Sequence, residues 1–386
     1  MEKLESKKEL GMKNVNKLKW ALCMLAAVLA AMGLCFAWRC PLDCVYGVDS
    51  GVFLFKKQLL WNVVGVAACT CAAFVPWRKW LKLAPLGMVV WFALMVVAVG
   101  FSRPIHGSQR WADLGVVSVN VNLVLVLSWA LFASWLCSKK HIRPWMVLAI
   151  VGGLMLAYVY LYILGNANRL SRICAFWGLG EAKPHLSYAQ DQMKAAYAAA
   201  NWFGDANRSL RYLPIAYADS MPSASALIFG KWFPLAVAVL FAMFGGFLTW
   251  GWMALKNPSK RMFILFWGFA IVFSATYSFG QSVGLLPVFG FSPPLAGCGG
   301  SLAVTFWIGL GIVLSALSGE ADDIEAPALG TFAASGVWIV LFIVFAVGVV
   351  KVSAFKRSFN VPSAARSVLG IDAAEIMAQI GIRKPE

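Results

Sequence analysis

Charge is scarce in this chain, and that scarcity decides its class. Only 13% of the 386 residues are charged while 61% are hydrophobic, with mean hydropathy +0.74. Soluble domains run nearer half apolar and a quarter charged, so a globular enzyme carrying a single anchor is excluded. Histidine is nearly absent, with 3 in the whole chain. His106 and His185 have no partner at ligand spacing, and the nine cysteines fit no metal pattern, so no metal ligands are assigned. Cys23, Cys35, Cys69, Cys71 and Cys137 lie in apolar runs and act as small hydrophobes. Cys40 and Cys44 sit in one loop where a disulfide would be allowed, although spacing alone fixes no pairing. Acidic residues number 17 against 33 basic ones, giving a formal charge of +16. Nucleic acid is excluded as the reason, because the lysines and arginines cluster in short loops between apolar runs, as cytoplasmic loops do.

What the chain has in quantity is apolar runs long enough to cross a bilayer. Spans are expected near 18–37, 59–75, 84–100, 117–136, 145–164, 223–255, 262–285, 295–318 and 331–350. The fold class is therefore all-α, a polytopic transmembrane helical bundle of about nine spans. The first run follows a basic segment, but Trp38-Arg39-Cys40 is no small-residue cleavage site, so it reads as a retained helix rather than a signal peptide. The 223–255 run exceeds what a bilayer needs, and Pro234 is the expected break.

Positive charge sets the orientation. Lys3, Lys7, Lys8, Lys13, Lys17 and Lys19 lie before or at the start of the first span; Arg78, Lys79 and Lys82 follow the second. Lys139, Lys140 and Arg143 follow the fourth, and Lys256, Lys260 and Arg261 follow the sixth. All are cytoplasmic if the N-terminus is inside. Residues 107–115, the long polar loop 165–222 and the segment 287–294 then share the opposite side. The last span is ambiguous: an acidic linker precedes it, and Lys351, Lys356 and Arg357 follow it where parity would place them outside. Two regions are expected, a core over 1–318 and a linker, extra helix and tail over 319–386.

The polar loop carries Glu181, Asp191, Asp205 and Asp219 among arginines, in a chain otherwise poor in carboxylates. Asp219-Ser220 before an apolar run fits a helix cap; a base at a membrane face would occupy the same place. Arg103, Arg110, Arg169, Arg172, Arg208 and Arg211 all fall in outer loops, where positive charge is disfavoured. Guanidinium groups match phosphate oxygens two at a time. Headgroup snorkelling would also explain them.

Five ordered motifs carry a family resemblance. They are Phe55-Lys-Lys-Gln-Leu-Leu-Trp61, Gly107-Ser-Gln-Arg-Trp-Ala-Asp-Leu-Gly115, Tyr188-Ala-Gln-Asp-Gln-Met-Lys194, Leu213-Pro214 with Asp219, and Gly284-Leu-Leu-Pro-Val-Phe-Gly290 followed by Gly299-Gly-Ser301. Together they resemble the SEDS family of bacterial cell-wall proteins, the FtsW/RodA type. There are departures. Val121-Asn-Leu123 stands where the family has Pro-Ser-Glu, and Ile215 where it has the Glu of Leu-Pro-Glu. The acidic pair of the following helix falls near Gly230-Lys231, the Pro-Asp-Leu-Gly-Thr motif is missing, and one span stands between Arg143 and the polar loop where the family has three.

The resemblance implies a peptidoglycan glycosyltransferase that polymerises lipid II on the outer face of the bacterial inner membrane, in division or elongation. It implies Asp219 as the catalytic residue. Arg110, Arg208, Arg211, Gln192 and Lys194 are the expected substrate-binding residues, and a class B penicillin-binding protein the partner. No cofactor is assigned, and a divalent cation is compatible with a pyrophosphate substrate. The departures support a second reading, a non-catalytic scaffold for that partner. A lipid-linked-sugar transporter is a third, weakened because the spans carry almost no ionisable residues. Small residues at Gly245-Gly246, Gly309 and Gly311 mark close helix contacts, with a partner or within the chain.

Overall fold

A computed structural model of the chain describes residues 2–40, 50–102, 111–115, 118–139, 141–164, 172–173, 176, 184–205, 210, 213 and 216–318. Among the described residues, helices form along the apolar runs and over one polar segment. They are α1 (Glu2–Arg39), α2 (Ser50–Phe74), α3 (Trp77–Gly100), α4 (Val121–Cys137), α5 (Pro144–Leu164), α6 (Pro184–Ala199), α7 (Met221–Phe229), α8 (Trp232–Ala254), α9 (Pro258–Val283) and α10 (Gly300–Leu317). Among the described residues six stretches, Gly11–Arg39, Gly51–Phe74, Trp77–Gly100, Trp232–Ala254, Pro258–Val283 and Gly300–Leu317, are long and apolar enough to cross a membrane, and α4 and α5 are also apolar. The helical bundle agrees with the expected class. The expected ninth span, 331–350, lies outside the described residues.

Packing follows small residues. α2 lies along α10, where a Cβ at Gly65 would strike the Trp307 indole, one at Gly300 the Trp61 indole, and one at Gly311 the Cys69 carbonyl. Trp307 Nε1 donates to Asn62 Oδ1 at 3.0 Å, satisfying two buried polar groups inside this seam. Gly309 faces the buried Trp267, and Gly245 and Gly246 are buried too. These small residues thus serve contacts within the chain. α9 packs on α4 and α8, α3 on α4, and α1 on α2 and α8.

Two boundaries differ from expectation. The long 223–255 run breaks at Gly230, not Pro234. Gly230 sits at φ +102°, and a Cβ there would meet the Trp202 carbonyl. Pro234 lies in the first turn of α8, where a missing N–H costs no helical bond. The 295–318 run is helical only from Gly300, with Gly299 at the N-cap. The polar loop, read as loop throughout, contains α6, an alanine-rich helix.

Cross-contacts show which ends coincide. Trp77 Nε1 donates to Ser259 Oγ at 3.1 Å, Ser315 Oγ to the Val75 carbonyl at 2.6 Å, and Lys19 Nζ to Ser318 Oγ at 2.9 Å. The basic segments around Lys19, Arg78 and Lys260 therefore share one end of the bundle. The polar segments gather at the other.

Candidate functional site

At that other end, three consecutive carbonyls are moored, two to one strap of chain and one to the helix before it. Cys298 N donates to Tyr217 O at 2.8 Å, Ser292 Oγ to Ala218 O at 3.1 Å, and Gln281 Nε2 to Asp219 O at 2.9 Å. The same Gln281 Nε2 donates to Phe291 O at 2.7 Å. The turn 216–220 carrying Asp219 is thus held against the end of α9 and the 284–299 strap that follows it. Asp219 is half-buried. The N-cap of α7 is Ser220, not Asp219, and Ala224 N closes the first turn on Ser220 O at 2.9 Å. The cap reading of Asp219 is corrected accordingly: it stands one residue ahead of the cap, beside a helix whose residues 221–228 are all buried.

α6 covers this end, packing on α7 and α9. Gln190 Nε2 donates to Leu286 O at 3.0 Å and Arg172 Nη1 to Val288 O at 3.3 Å, so α6 and the segment before it clasp the 284–291 strap. Tyr277 OH donates to Pro287 O at 3.0 Å from within α9. Lys194 on α6 is half-buried, and its stem crosses Gly284, the left-handed C-cap of α9 at φ +76°; a Cβ there would collide with it. Gln192, also on α6, is half-buried. The expected residues Asp219, Gln192 and Lys194 therefore lie on elements that pack together. Arg110, Arg208 and Arg211 lie outside the described residues.

The flanking motifs arrive at the same end. Gln58 in α2 accepts from Gly299 N at 3.1 Å through Oε1, and its Nε2 donates to Gly297 O at 3.5 Å. The Trp111–Gly115 part of the second motif is a hairpin arm: β1 (Trp111–Asp113) pairs antiparallel with β2 (Ser118–Asn120), Trp111 opposite Asn120. Asp113 Oδ1 accepts from Gly115 N at 3.1 Å, and Asn120 Oδ1 caps α4 through Asn122 N at 3.1 Å. Asn122, at a departure from the family pattern, accepts from Tyr158 OH at 2.7 Å. The two bonds of Gln281 across the site had no signal in the sequence.

Nearby, the outer ends of α1, α2 and α7 leave an apolar groove of about 350 Å³, lined by Leu34, Cys35, Trp38, Arg39, Phe55 and Phe229. Cys40, just past α1, is buried and free, with its thiol pushed up to about 12 by burial. Cys298 is likewise buried and free; burial and the neighbouring Cys40 raise it well above the usual range. Cys44, the other half of the disulfide weighed from sequence, lies outside the described residues. Among the described residues no group of three His, Cys, Asp or Glu could hold a metal ion.

A bundle of apolar helices whose polar segments gather at one end defines a multi-pass membrane protein. Residues 19–143 and 120–321 match the family described as cell cycle protein, comprising FtsW, RodA and SpoVE, and the chain belongs to that family. It is similar to the "Probable peptidoglycan glycosyltransferase FtsW" of Hahella chejuensis, 24% identical, with 78% of this chain and 91% of that protein covered. The protein of the same name from Alkalilimnicola ehrlichii is 23% identical over 78% of this chain and 89% of its own length. Among solved structures, the rod shape determining protein RodA of Thermus thermophilus shares the fold at TM-score 0.57, 21% identical, covering 80% of this chain and 98% of that one. A chain of a peptidoglycan synthase complex that coordinates polymerization and crosslinking matches at TM-score 0.60, 19% identical, covering 77% and 97%.

Proposed function

We propose that this protein is a peptidoglycan glycosyltransferase that extends glycan strands from lipid II at the outer face of the bacterial cytoplasmic membrane, with Asp219 as its general base. The observation that carries the reading is the mooring of Asp219: a half-buried carboxylate on a backbone fixed at three consecutive carbonyls, at the polar end of a membrane bundle. Membership of the family and the names of the relatives support it.

The chemistry needs little more than a placed base. The sugar leaves as its pyrophosphate, already a good leaving group, so no acid is needed, unlike glycoside hydrolysis. Asp219 takes the proton of the acceptor hydroxyl as that oxygen attacks the anomeric carbon. Lys194, with Arg110, Arg208 and Arg211, meets the pyrophosphate charge, and Gln192 contacts the sugar. The apolar groove beside Arg39 offers a surface for the lipid portion. No cofactor enters the reaction as written; a divalent cation would act by shielding the pyrophosphate, and loss of rate on chelation would reveal it. The N-terminus lies in the cytoplasm, because the basic segments share one end. The partner is a class B penicillin-binding protein that crosslinks the product.

Asp219→Asn keeps size and hydrogen-bonding reach but loses basicity. Polymerisation of lipid II by the purified protein with its partner should fall at least about a hundredfold, with unchanged folding and partner recovery. A wild-type rate in this variant would instead favour the scaffold reading that the missing family carboxylates suggest.

A further inference from the structure

We propose that Gln281 is the positioning residue for Asp219, setting the height of the carboxylate by tying its backbone to the strap on the far side of the site. The inference rests on Asp219 being the base. A primary amide has two N–H donors. Both of Gln281's are used within the site, at 2.9 Å to Asp219 O and 2.7 Å to Phe291 O. The side chain is fully buried on the last turn of α9. A shorter amide would draw the two donors back toward α9, away from carbonyls that belong to two different segments.

A residue present only for stability would be expected to satisfy all its own polar atoms. Among the described residues Gln281 does not: Oε1 is buried without a hydrogen-bond partner, as are the hydroxyls of Ser278 and Ser282 on the same helix. Leaving such atoms unpaired is costly. The reversed amide would set an oxygen against two carbonyl oxygens, so the donor end is fixed where Asp219 needs it. The other two moorings hold Tyr217 and Ala218, one and two residues away. Gln281 holds the carbonyl of the residue that carries the base. Displacement of a reacting group by about 1 Å costs on the order of a hundredfold in rate.

The test uses the full-length protein in complex with its partner, with lipid II as substrate. Gln281→Met removes both donors at similar volume. Gln281→Asn keeps both donors but shortens the reach. Each is made alone and combined with Asp219→Asn. The expected result is a kcat lowered about 10- to 100-fold with KM within about twofold, and little or no further loss when Gln281→Met is added to Asp219→Asn. The proposal is overturned by a wild-type kcat in Gln281→Met, by a raised KM with kcat kept, or by an equal loss in both backgrounds. It is also overturned if neither variant folds, because the amide then serves the fold. If Asp219→Asn leaves too little rate to compare, the split between kcat and KM in the single variants decides. A wild-type rate in Asp219→Asn alone would remove the base reading, an outcome distinct from all of these.

Discussion

Gln58 in α2 and Gly299 at the N-cap of α10 stand 241 residues apart and are joined side chain to backbone, Oε1 accepting from the glycine N–H at 3.1 Å. The same amide returns a bond to Gly297 O at 3.5 Å. Two motifs from opposite halves of the sequence thus close on each other, and the strap they fix is the one that moors the Asp219 turn.

Gln58→Leu should destabilise the protein by about 2 kcal/mol, because it leaves a donor and an acceptor of the strap without their partner in a largely water-free place. The midpoint of thermal unfolding in detergent measures this. An unchanged midpoint would mean that the strap is held by Trp61 against Gly300 and not by the amide.

Arg110→Ala should lower substrate use, and Arg110→Lys should restore it only in part. The planar fork reads two phosphate oxygens at once, while an ammonium supplies a point charge. Rate against lipid II concentration separates the variants, and equal curves for lysine and arginine would reduce the role of Arg110 to charge.

Reporters fused after Lys140 or after Arg261 should read cytoplasmic, and one inserted near Ala182 should read from the other side. The shared end of the basic segments fixes this expectation. A cytoplasmic signal from the Ala182 insertion would invert the bundle and every role assigned at its polar end.

Cys40 and Cys298 should resist a maleimide in the folded protein at pH 8 and react fully after denaturation. The thiolate is the reactive form, and a pKa raised to about 12 for Cys40 puts its appearance far above that pH. Mass spectrometry of the labelled peptides locates the sites. Prompt labelling of Cys298 would show that the strap opens in solution.

Much of this was readable in advance. The eight apolar stretches before residue 319 became helices because a helix satisfies its backbone groups within one segment in lipid. The misreadings have physical causes. Pro234 looked like a break, yet a proline in the first turn disturbs nothing, whereas Gly230 carries a φ open to glycine. The hairpin of Trp111–Asp113 and Ser118–Asn120 is too short for alternation to show. α6 was hidden by its polarity, although its run of alanines favours helix. Gln281 could not be foreseen as a clamp, because its two acceptors are backbone carbonyls placed only by the tertiary fold.

The seam between α2 and α10 limits how this protein can move. From Gln58 and Gly299 at one end to Val75 and Ser315 at the other, glycines sit against indoles and backbone with no spare clearance. Sliding by even part of a turn would drive the Trp61 and Trp307 rings into main chain. The two helices therefore travel as one bolted beam. A change of shape elsewhere in the bundle would carry this pair as a unit.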